Sequence, residues 1–270
     1  MRHRIVVAMA AVVFLTACET VPVTGRSQVM LFSEAEVVKL ADQAHTKFMT
    51  EAQQKGTIVT TSDGAAGRDV ALVNTVARRI IDAAGLATRY KWEIVVLRDP
   101  TANASVMPNG KMLVHTGLLP VTGSEAGLAV VLGHEVGHVV ARHSAERLSQ
   151  SVLLETGTQV AAATVSSNPG LQAIAAGALG LGAQYGVLMP YSRAHESEAD
   201  RLGLIFMAKA GYDPAEAIAL WERMEKAGGS RPPEFLSTHP NPETRRIQIR
   251  EWLPEAQRYY KDRSLPLPTR

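Results

Sequence analysis

The sequence predicts an α+β domain that is mostly helical and has one small β-sheet. Three observations lead to this prediction: helix-start signals recur along the chain, one strand and one hairpin are predicted near its middle, and a long apolar helix follows them. No internal repeat or low-complexity tract is present, which argues against a solenoid. The expected architecture is therefore a set of helices packed on a single small sheet.

The first 17 residues predict a secretory signal peptide. Met1 to Arg4 is basic, Ile5 to Leu15 is an apolar run, and small residues follow. Leu15-Thr16-Ala17-Cys18 resembles a bacterial lipobox, in which the cysteine is acylated and becomes the new N-terminus, and Cys18 is the only cysteine of the chain. We therefore expect a lipid anchor at Cys18, with an ordinary cleaved signal peptide as the alternative. By resemblance to such lipoproteins, Glu19 after the cysteine favours the outer membrane.

Composition excludes several classes of protein. Lys and Arg number 28 against 26 Asp and Glu, and no basic patch or tail is visible, so a charge-driven nucleic-acid binder is excluded. Aromatic residues make up 5% of the chain, which leaves little material for stacking on single-stranded nucleic acid. A single cysteine excludes a disulfide framework or a thiolate metal cluster.

Two helices are predicted after an extended N-terminal tether. Ser33 and Glu36 form a capping box at the start of the first helix, which runs to Lys55 and is stopped by Gly56. The second helix runs from Arg68 to Ala84 and is followed by Gly85.

The sheet is predicted from β-branched residues and one turn signal. Trp92 to Leu97 is rich in Val and Ile and predicts a strand. Asn103 to Met107 and Lys111 to Thr116 flank the turn Pro108-Asn109-Gly110, which predicts a hairpin.

A long helix is predicted next. Thr122 and Glu125 form a capping box, and the helix is expected to continue to about Gln150. Residues 157–190 are dominated by Ala, Gly, Leu and Val, so they predict either a membrane span or two closely packed buried helices. The polar interruption at 166–170 favours the two buried helices.

Two more helices complete the predicted domain. Asp213-Pro214-Ala215-Glu216 is a helix start, and Gly228-Gly229 ends that helix. The proline-rich segment that includes Ser237-Thr238-His239-Pro240 predicts a loop, and Glu243 to Trp252 predicts the final helix.

The pattern His134-Glu135-x-x-His138 lies inside the long helix. Histidines at i and i+4 share one helical face, which is the separation that two imidazoles need to bind one Zn²⁺. Glu135 lies about 100° round the helix from His134, so it can act on water without binding the ion. Apolar residues surround the pattern, and buried polar groups are costly unless they are paired. The alternative is a pair of core histidines whose hydrogen bonds go to carbonyl groups.

A catalytic zinc site normally has three protein ligands. On a continuous helix His143 would lie about 180° from His134, so we expect it to face away. Glu196 and Asp200 are four residues apart and share a face of a following helix, whereas Glu198 points elsewhere. We predict that Glu196 is the third ligand and that Asp200 orients a ligating imidazole.

Two alternatives to this ligand assignment remain. Glu196 and Glu198 are also compatible with a solvated helix face. His195 becomes a rival third ligand if the helix is rotated the other way.

These residues resemble those of the HtpX-like and CAAX-prenyl-endopeptidase family of gluzincin metallopeptidases, in the periplasmic lipoprotein branch similar to BepA and LoiP. The similarity extends from about residue 23 to residue 246 and rests on the following segments: His134-Glu135-x-x-His138, Glu196-x-x-Ala199-Asp200, Ser237-Thr238-His239-Pro240, Asn103-Ala104-x-x-Met107-Pro108-x-Gly110 and Thr116-Gly117-Leu118-Leu119. The helical-repeat domain that some members carry is not seen after the peptidase region.

The resemblance implies a gluzincin fold and one Zn²⁺ per chain. It assigns the metal ligands to His134, His138 and Glu196 and the general base to Glu135. The family's conserved acid, often described as a proton donor, falls on Asp200. Its role as proton donor or as an orienting residue therefore stays open.

The expected function is zinc-dependent endoproteolysis in the bacterial periplasm, with anchoring to the outer membrane through Cys18. The expected substrates are unfolded or misassembled envelope proteins, and nucleic acid is not an expected partner. The main alternative is a lipoprotein that assists outer-membrane protein assembly and has latent protease activity. A structural zinc protein is disfavoured because three ligands beside Glu135 form an open site.

His239 lies in a loop whose backbone is restricted by prolines. One interpretation is that its imidazole caps the final helix or packs on the surface. The other is that the loop folds over the zinc face, where His239 either takes the open coordination position or stabilises the transition state. Tyr191 and Arg245 are further candidates for the stabilising role.

Four regions are therefore predicted along the chain: a lipoprotein signal peptide at 1–17, an N-terminal tether at 18–32, a zinc metallopeptidase domain at 33–256 and a C-terminal tail at 257–270.

Overall fold

The computed structural model describes residues 18–21, 24–156, 161–181, 191–228, 234–239 and 242–267. Helices dominate and the strands form two small sheets, which confirms the predicted α+β fold. The predicted signal peptide lies outside the described residues.

In chain order the helices are α1 (Glu34–Gln54), α2 (Ala65–Ala83), α3 (Leu119–Thr122), α4 (Glu125–Val140), α5 (His143–Thr156), α6 (Ala162–Ser167), α7 (Pro169–Ala176), α8 (Arg193–Lys209), α9 (Glu216–Gly228), α10 (Glu234–Thr238) and α11 (Pro242–Lys261). The strands are β1 (Cys18–Thr20), β2 (Ser27–Val29), β3 (Ile58–Val59), β4 (Glu93–Leu97), β5 (Ala104–Val106) and β6 (Lys111–His115).

The segment predicted as an extended tether is instead a β-hairpin. Strands β1 and β2 pair in antiparallel register, with Cys18 opposite Val29. The turn between them is closed by the Val21 N–H, which donates to the Arg26 carbonyl at 2.8 Å. Arg26 then forms ion pairs with Glu146 on α5 and Glu198 on α8. This segment is therefore docked on the helical domain.

The first two helices form where the sequence predicts them. The Ser33 side chain accepts from the Glu36 N–H, and the Glu36 carboxylate accepts from the Ser33 N–H, so the predicted capping box of α1 is confirmed. Helix α2 starts three residues earlier than predicted, at Ala65.

The larger sheet has the strand order β3-β4-β6-β5. Strands β4 and β6 are parallel, β3 and β5 pair in antiparallel register at the two edges, and β5–β6 is the predicted hairpin. Strand β3 was not predicted because it is two residues long. Strand β5 is the last strand at one side of the sheet and contacts α4.

The predicted long helix is two helices, α4 and α5. Ser124, not Thr122, caps α4, because the Ser124 hydroxyl accepts from the Gly127 N–H at 2.9 Å while Thr122 donates to the Leu119 carbonyl. The helix then breaks at Arg142, which has a positive φ of 57°. This break changes the direction of the chain directly before His143.

Part of the apolar stretch at 157–190 is described, and it contains α6, α7 and a π-helical turn at Gly177–Leu181. Leu171 and Leu179 are buried in a hydrophobic cluster with residues of α1 and α5, which agrees with the prediction of buried helices. Within the described ranges, no helix is both long enough and apolar enough to cross a membrane.

The last helices surround α4 and enclose it. Nearly every residue of α4 is buried, and α8 packs along it and is itself covered by α11. Helix α11 continues through Pro254 to Lys261, beyond the predicted end of the domain at residue 256, and Ala256 is buried. The enclosed α4 carries the residues that the sequence singles out for metal chemistry.

Candidate metal centre

Helices α4 and α8 approach each other unusually closely because glycines face each other across the contact. An ideal Cβ built on Gly133 would lie 2.8 Å from the Gly203 carbonyl oxygen, and one on Gly137 would lie 2.7 Å from the Ala199 carbonyl oxygen. A side chain at either position would push the helices apart. This close approach brings the acidic residues of α8 within reach of the two histidines of α4.

Four buried side chains direct ligand atoms to one point. They are His134 and His138 on α4, Glu196 on α8, and His239 directly after α10, and their ligand atoms all lie within 4.8 Å of one another. His134 Nε2 lies 2.9 Å from His138 Nε2 and 3.0 Å from His239 Nδ1. Glu196 Oε1 lies 2.9 Å from His239 Nδ1 and 3.5 Å from His138 Nε2. Such a cluster of nitrogen and oxygen donors is suited to a metal ion.

The proton position on the His134 ring and the distances between the ligand atoms test whether this cluster fits a metal ion. His134 Nδ1 lies 2.9 Å from Asp200 Oδ1, so its proton is expected on Nδ1, and Nε2 then presents a lone pair to the cluster. Ligand atoms placed tetrahedrally round zinc at about 2.0–2.2 Å lie about 3.3 Å apart, which is close to the separations seen here. The donor set therefore fits a zinc ion.

Glu135 lies beside this cluster and is 2% exposed. Its Oε1 atom lies 3.3 Å from His239 Nε2. This oxygen atom has no hydrogen-bond partner among the described residues. Burial raises the pKa of this carboxyl group. A carboxylate with a raised pKa and a free oxygen is suited to accept a proton.

Asp200 and Arg245 hold the outer side of the cluster. Both carboxylate oxygens of Asp200 accept from the Arg245 guanidinium at 2.6 Å, and Arg245 also lies 2.7 Å from Glu196 Oε2. Burial alone would raise the pKa of Asp200, but the charge of Arg245 and its hydrogen bonds lower it. Arg245, one of the stabilising candidates from the sequence, is thus engaged by two acidic residues.

Electrostatic conditions differ among the four ligands. Burial acts to raise the pKa of Glu196, but the charges of His239 and Arg245 hold it well below its ordinary range. Burial, together with the neighbouring His134, lowers the pKa of His138 well below the ordinary value. An ionised Glu196 and a neutral His138 are the forms that bind a metal ion.

His143 and Glu198 overturn two expectations from the sequence. The prediction that His143 faces away is wrong, because the break at Arg142 turns its ring to within 2.8 Å of His138, Nδ1 to Nδ1. The alternative that Glu196 and Glu198 form a solvated face is also wrong, since they are 1% and 7% exposed. Glu198 points away from the cluster as expected, but toward His143.

His195 and His239 also have defined positions. His195, the rival third ligand, contacts Glu146 at 2.9 Å and lies outside the cluster. His239 is 2% exposed and stacks on Phe235, so it does not pack on the surface. Tyr191 stacks on His138 with ring centroids 3.9 Å apart. The sequence prediction that the loop folds over this face agrees with the position of His239.

Comparison with known proteins identifies the family. Residues 68–253 match the family model described as peptidase family M48. The chain belongs to this peptidase family. The M48 match contains His134, Glu135, His138, Glu196, His239 and Arg245. It starts after the N-terminal hairpin.

Several curated proteins are similar to this M48 chain. The mitochondrial metalloendopeptidase OMA1 of Schizosaccharomyces pombe is 43% identical over 187 residues, which are 68% of this chain and 53% of that protein. The mitochondrial OMA1 of Bos taurus is 31% identical over 252 residues, 91% of this chain and 48% of that protein. The β-barrel assembly-enhancing protease of Yersinia pestis is 30% identical over 179 residues, 64% of this chain and 36% of that protein. The chain thus spans about half or less of the length of these relatives.

These relatives agree with the metallopeptidase predicted from the sequence. They are named from both mitochondria and bacteria, so the narrower assignment to a bacterial lipoprotein branch stays a prediction. The roles of the individual site residues likewise stay predictions.

Proposed function

We propose that this M48 chain is a zinc-dependent endopeptidase that holds one Zn²⁺ through His134, His138 and Glu196. The observation that carries the proposal is the convergence of these three side chains beside the buried carboxylate of Glu135. The relatives named metalloendopeptidases support the same reaction class.

When bound, zinc would polarise the scissile carbonyl group and make water a better nucleophile near neutral pH. Glu135 is the proposed general base: it takes a proton from the attacking water and then passes it to the leaving amine. Its raised pKa and its free Oε1 atom support this role.

Asp200 is proposed to orient His134 rather than to donate a proton to the substrate. Its Oδ1 atom accepts from His134 Nδ1, and Arg245 occupies both of its oxygens. A carboxylate whose pKa is lowered in this way is a poor proton donor near neutral pH. Its side chain therefore fixes the tautomer and the ring position of a ligand.

The proposed substrates are extended segments of unfolded or misassembled proteins. Strand β5 is an edge of the sheet and lies against α4, so a peptide that pairs with it would run past the metal centre. Pairing of this kind reads the backbone rather than particular side chains, which suits unfolded chains.

The proposed location is the bacterial periplasm, with a lipid anchor at Cys18. The lipobox-like sequence supports this proposal, and the relative named a β-barrel assembly-enhancing protease supports a role in the bacterial envelope. Fractionation tests the anchor: the wild type should be found with membranes and Cys18→Ser should be soluble or unprocessed. A wild-type protein found free in a periplasmic extract would contradict the lipoprotein proposal.

His239 is proposed to restrain the enzyme. Its ring lies between the ligand Glu196 and the base Glu135, so as a fourth ligand it would close the position that water needs. An enzyme of this kind would cleave only in the fraction of molecules in which His239 has moved away, so wild type should show a low basal activity.

The test combines zinc content with cleavage of an unfolded protein such as casein. Wild type should contain one zinc per chain and should cleave, whereas Glu135→Gln should retain zinc and lose cleavage. A Glu135→Gln variant that keeps the full cellular function would favour the alternative, an outer-membrane assembly factor with latent protease activity. A wild type that binds no zinc would refute the proposed function.

A further inference from the structure

The second ligating histidine, His138, connects to the N-terminal hairpin through three contacts. His138 Nδ1 lies 2.8 Å from His143 Nδ1, and His143 Nε2 lies 2.9 Å from Glu198 Oε2. The same Glu198 oxygen accepts from Arg26 Nε at 2.8 Å. We infer that Arg26 is a positioning residue for the metal ligand His138, acting through Glu198 and His143. This inference rests on the proposed metal site.

The contacts allow one consistent arrangement of protons. If His138 presents the Nε2 lone pair to the cluster, its proton is on Nδ1 and donates to His143 Nδ1. The proton of His143 must then be on Nε2, where it donates to Glu198. The other tautomer of His143 would place two N–H groups against each other. Glu198 therefore selects the tautomer that orients His138.

Arg26 is the group that holds Glu198 in place. Its guanidinium bridges two acidic side chains, since Nε donates to Glu198 while Nη1 and Nη2 donate to Glu146 at 3.0 and 2.7 Å. Both glutamates are almost buried, and they would repel each other without a cation between them. Among the described residues, the other ion-pair partners of the two carboxylates are His143 and His195. Among the ion-pair partners that the described residues provide, Arg26 is the one with a permanent charge.

The hairpin is built so that it presents Arg26 at this point. The Val21 and Arg26 backbones close the turn, and the Thr24 hydroxyl also donates to Glu198. On the neighbouring strand Glu19 pairs with Arg142, the residue at the helix break before His143. We call the chain of contacts from His138 through His143 to Glu198 the relay. The hairpin contacts the relay at Glu198 and, separately, the helix break just before His143, although the hairpin lies outside the residues matched to the family.

The experiment measures zinc affinity by competition with a chromophoric chelator, which requires no catalysis. Arg26→Ala should bind zinc about 3- to 10-fold more weakly, which is less than the roughly 10- to 100-fold expected for a direct partner of a ligand, because Arg26 acts on His138 through Glu198 and His143. Arg89→Ala is the matched control, since Arg89 pairs with Glu34 on the exposed surface and should leave the affinity unchanged. Arg26→Lys keeps the charge but cannot bridge both glutamates, so its affinity should lie in between.

Three further measurements separate positioning from a general structural effect. The Arg26→Ala, Glu198→Gln double variant should bind zinc no more weakly than the weaker single variant, because both changes break one relay. Free guanidinium ion, at concentrations too low to denature the protein, should restore zinc affinity in Arg26→Ala but not in Glu198→Gln. In steady-state cleavage of casein, Arg26→Ala should have a lower kcat than wild type and an unchanged KM.

An Arg26→Ala affinity within twofold of wild type would overturn the inference, as would fully additive losses in the double variant. If Arg26→Ala does not fold, Arg26→Lys and its double variant with Glu198→Gln give the same decision. If wild type and His239→Ala both bind zinc and neither cleaves casein, the proposed endopeptidase is refuted and this inference stays intact. A wild type that binds no zinc would refute both.

Discussion

The two histidines of the metal centre lie one turn apart on α4, yet their outer nitrogens are held in different ways. His134 contacts the carboxylate of Asp200 directly, at 2.9 Å. His138 contacts a second imidazole, that of His143, and a carboxylate follows only after it. One ligand is therefore fixed in a single step and the other through a relay.

The two sides also differ in exposure. The Asp200 and Arg245 side chains are 5% and 2% exposed, whereas Arg26 is 27% exposed. We call the side of Asp200 and Arg245 the enclosed side and the side of His143, Glu198 and Arg26 the relay side. Water can partly replace a lost partner on the relay side but not on the enclosed side. The same chemical task is thus carried out in two environments, and their different sensitivity to mutation can be measured.

The largest expected effect separates the two carboxylates. Asp200→Ala leaves the buried Arg245 without its bidentate partner, so we expect a loss of about 3–5 kcal/mol in the free energy of unfolding. Glu198→Ala should cost clearly less, because its partner Arg26 reaches solvent. Urea unfolding of the metal-free proteins measures both values.

Zinc affinity should fall by about 10- to 100-fold in Asp200→Ala, which loses a direct partner of a ligand, and by less in Glu198→Ala, because Glu198 acts through His143. The sequence alone assigns Glu196 as a ligand and directs Glu198 elsewhere, so it predicts a loss of zinc for Glu196→Ala and none for Glu198→Ala. The contact of Glu198 with His143 changes the second expectation. Equal unfolding losses in Asp200→Ala and Glu198→Ala would mean that exposure does not distinguish the two sides.

The second prediction concerns His239, whose carbonyl oxygen accepts from Arg245 on the enclosed side. If its imidazole closes the metal site, His239→Ala should increase cleavage of casein and self-cleavage while zinc is retained. A fall of about 10²-fold with zinc retained would instead mean that His239 stabilises the transition state. Phe235→Leu, which removes the ring stacked on His239, should increase cleavage more weakly.

Much of the enclosed side could be predicted from the sequence because helical spacing determines it. The i, i+4 positions of His134 and His138, and of Glu196 and Asp200, hold on any regular helix. The glycines Gly133 and Gly137 were also visible at that spacing, but their role needs a partner helix whose position no local pattern gives.

The relay side could not be predicted, because it depends on one irregular backbone angle. A helix through Arg142 was favoured by every local preference, and only a positive φ at a non-glycine residue brings His143 back to His138. Likewise, the ion pairs of Arg26 join segments more than 100 residues apart in the chain. Long-range contacts of this kind leave no periodic signal.

The third prediction tests that backbone angle. Arg142→Val places a β-branched residue at a positive φ, and we expect a loss of about 1–3 kcal/mol in the free energy of unfolding and weaker zinc binding. Arg142→Gly also removes the pair with Glu19 but tolerates the angle, so it should stay within about 1 kcal/mol of wild type. Thermal unfolding and zinc competition check both variants. Similar losses in the two would show that the ion pair, not the backbone, matters.

The smallest effect is expected in the pH dependence of stability on the relay side. Burial acts to raise the pKa of Glu198, but His143, Thr24 and Arg26 lower it to about 2. The folded-state pKa thus lies below the ordinary value of 4.5. The stabilisation is therefore present above pH 4.5 and is lost as the pH falls toward 2.

Glu198→Gln removes this titration. Between pH 6 and pH 4, the free energy of unfolding of metal-free wild type should fall more steeply than that of the variant. The difference in slope is at most about 1.4 kcal/mol per pH unit, which corresponds to one proton taken up on unfolding. The exposed Glu222→Gln serves as the control and should keep the wild-type slope. Equal slopes in wild type and Glu198→Gln would mean that Glu198 titrates normally in the folded protein, and the relay would then lack the ionised carboxylate that holds the His143 tautomer.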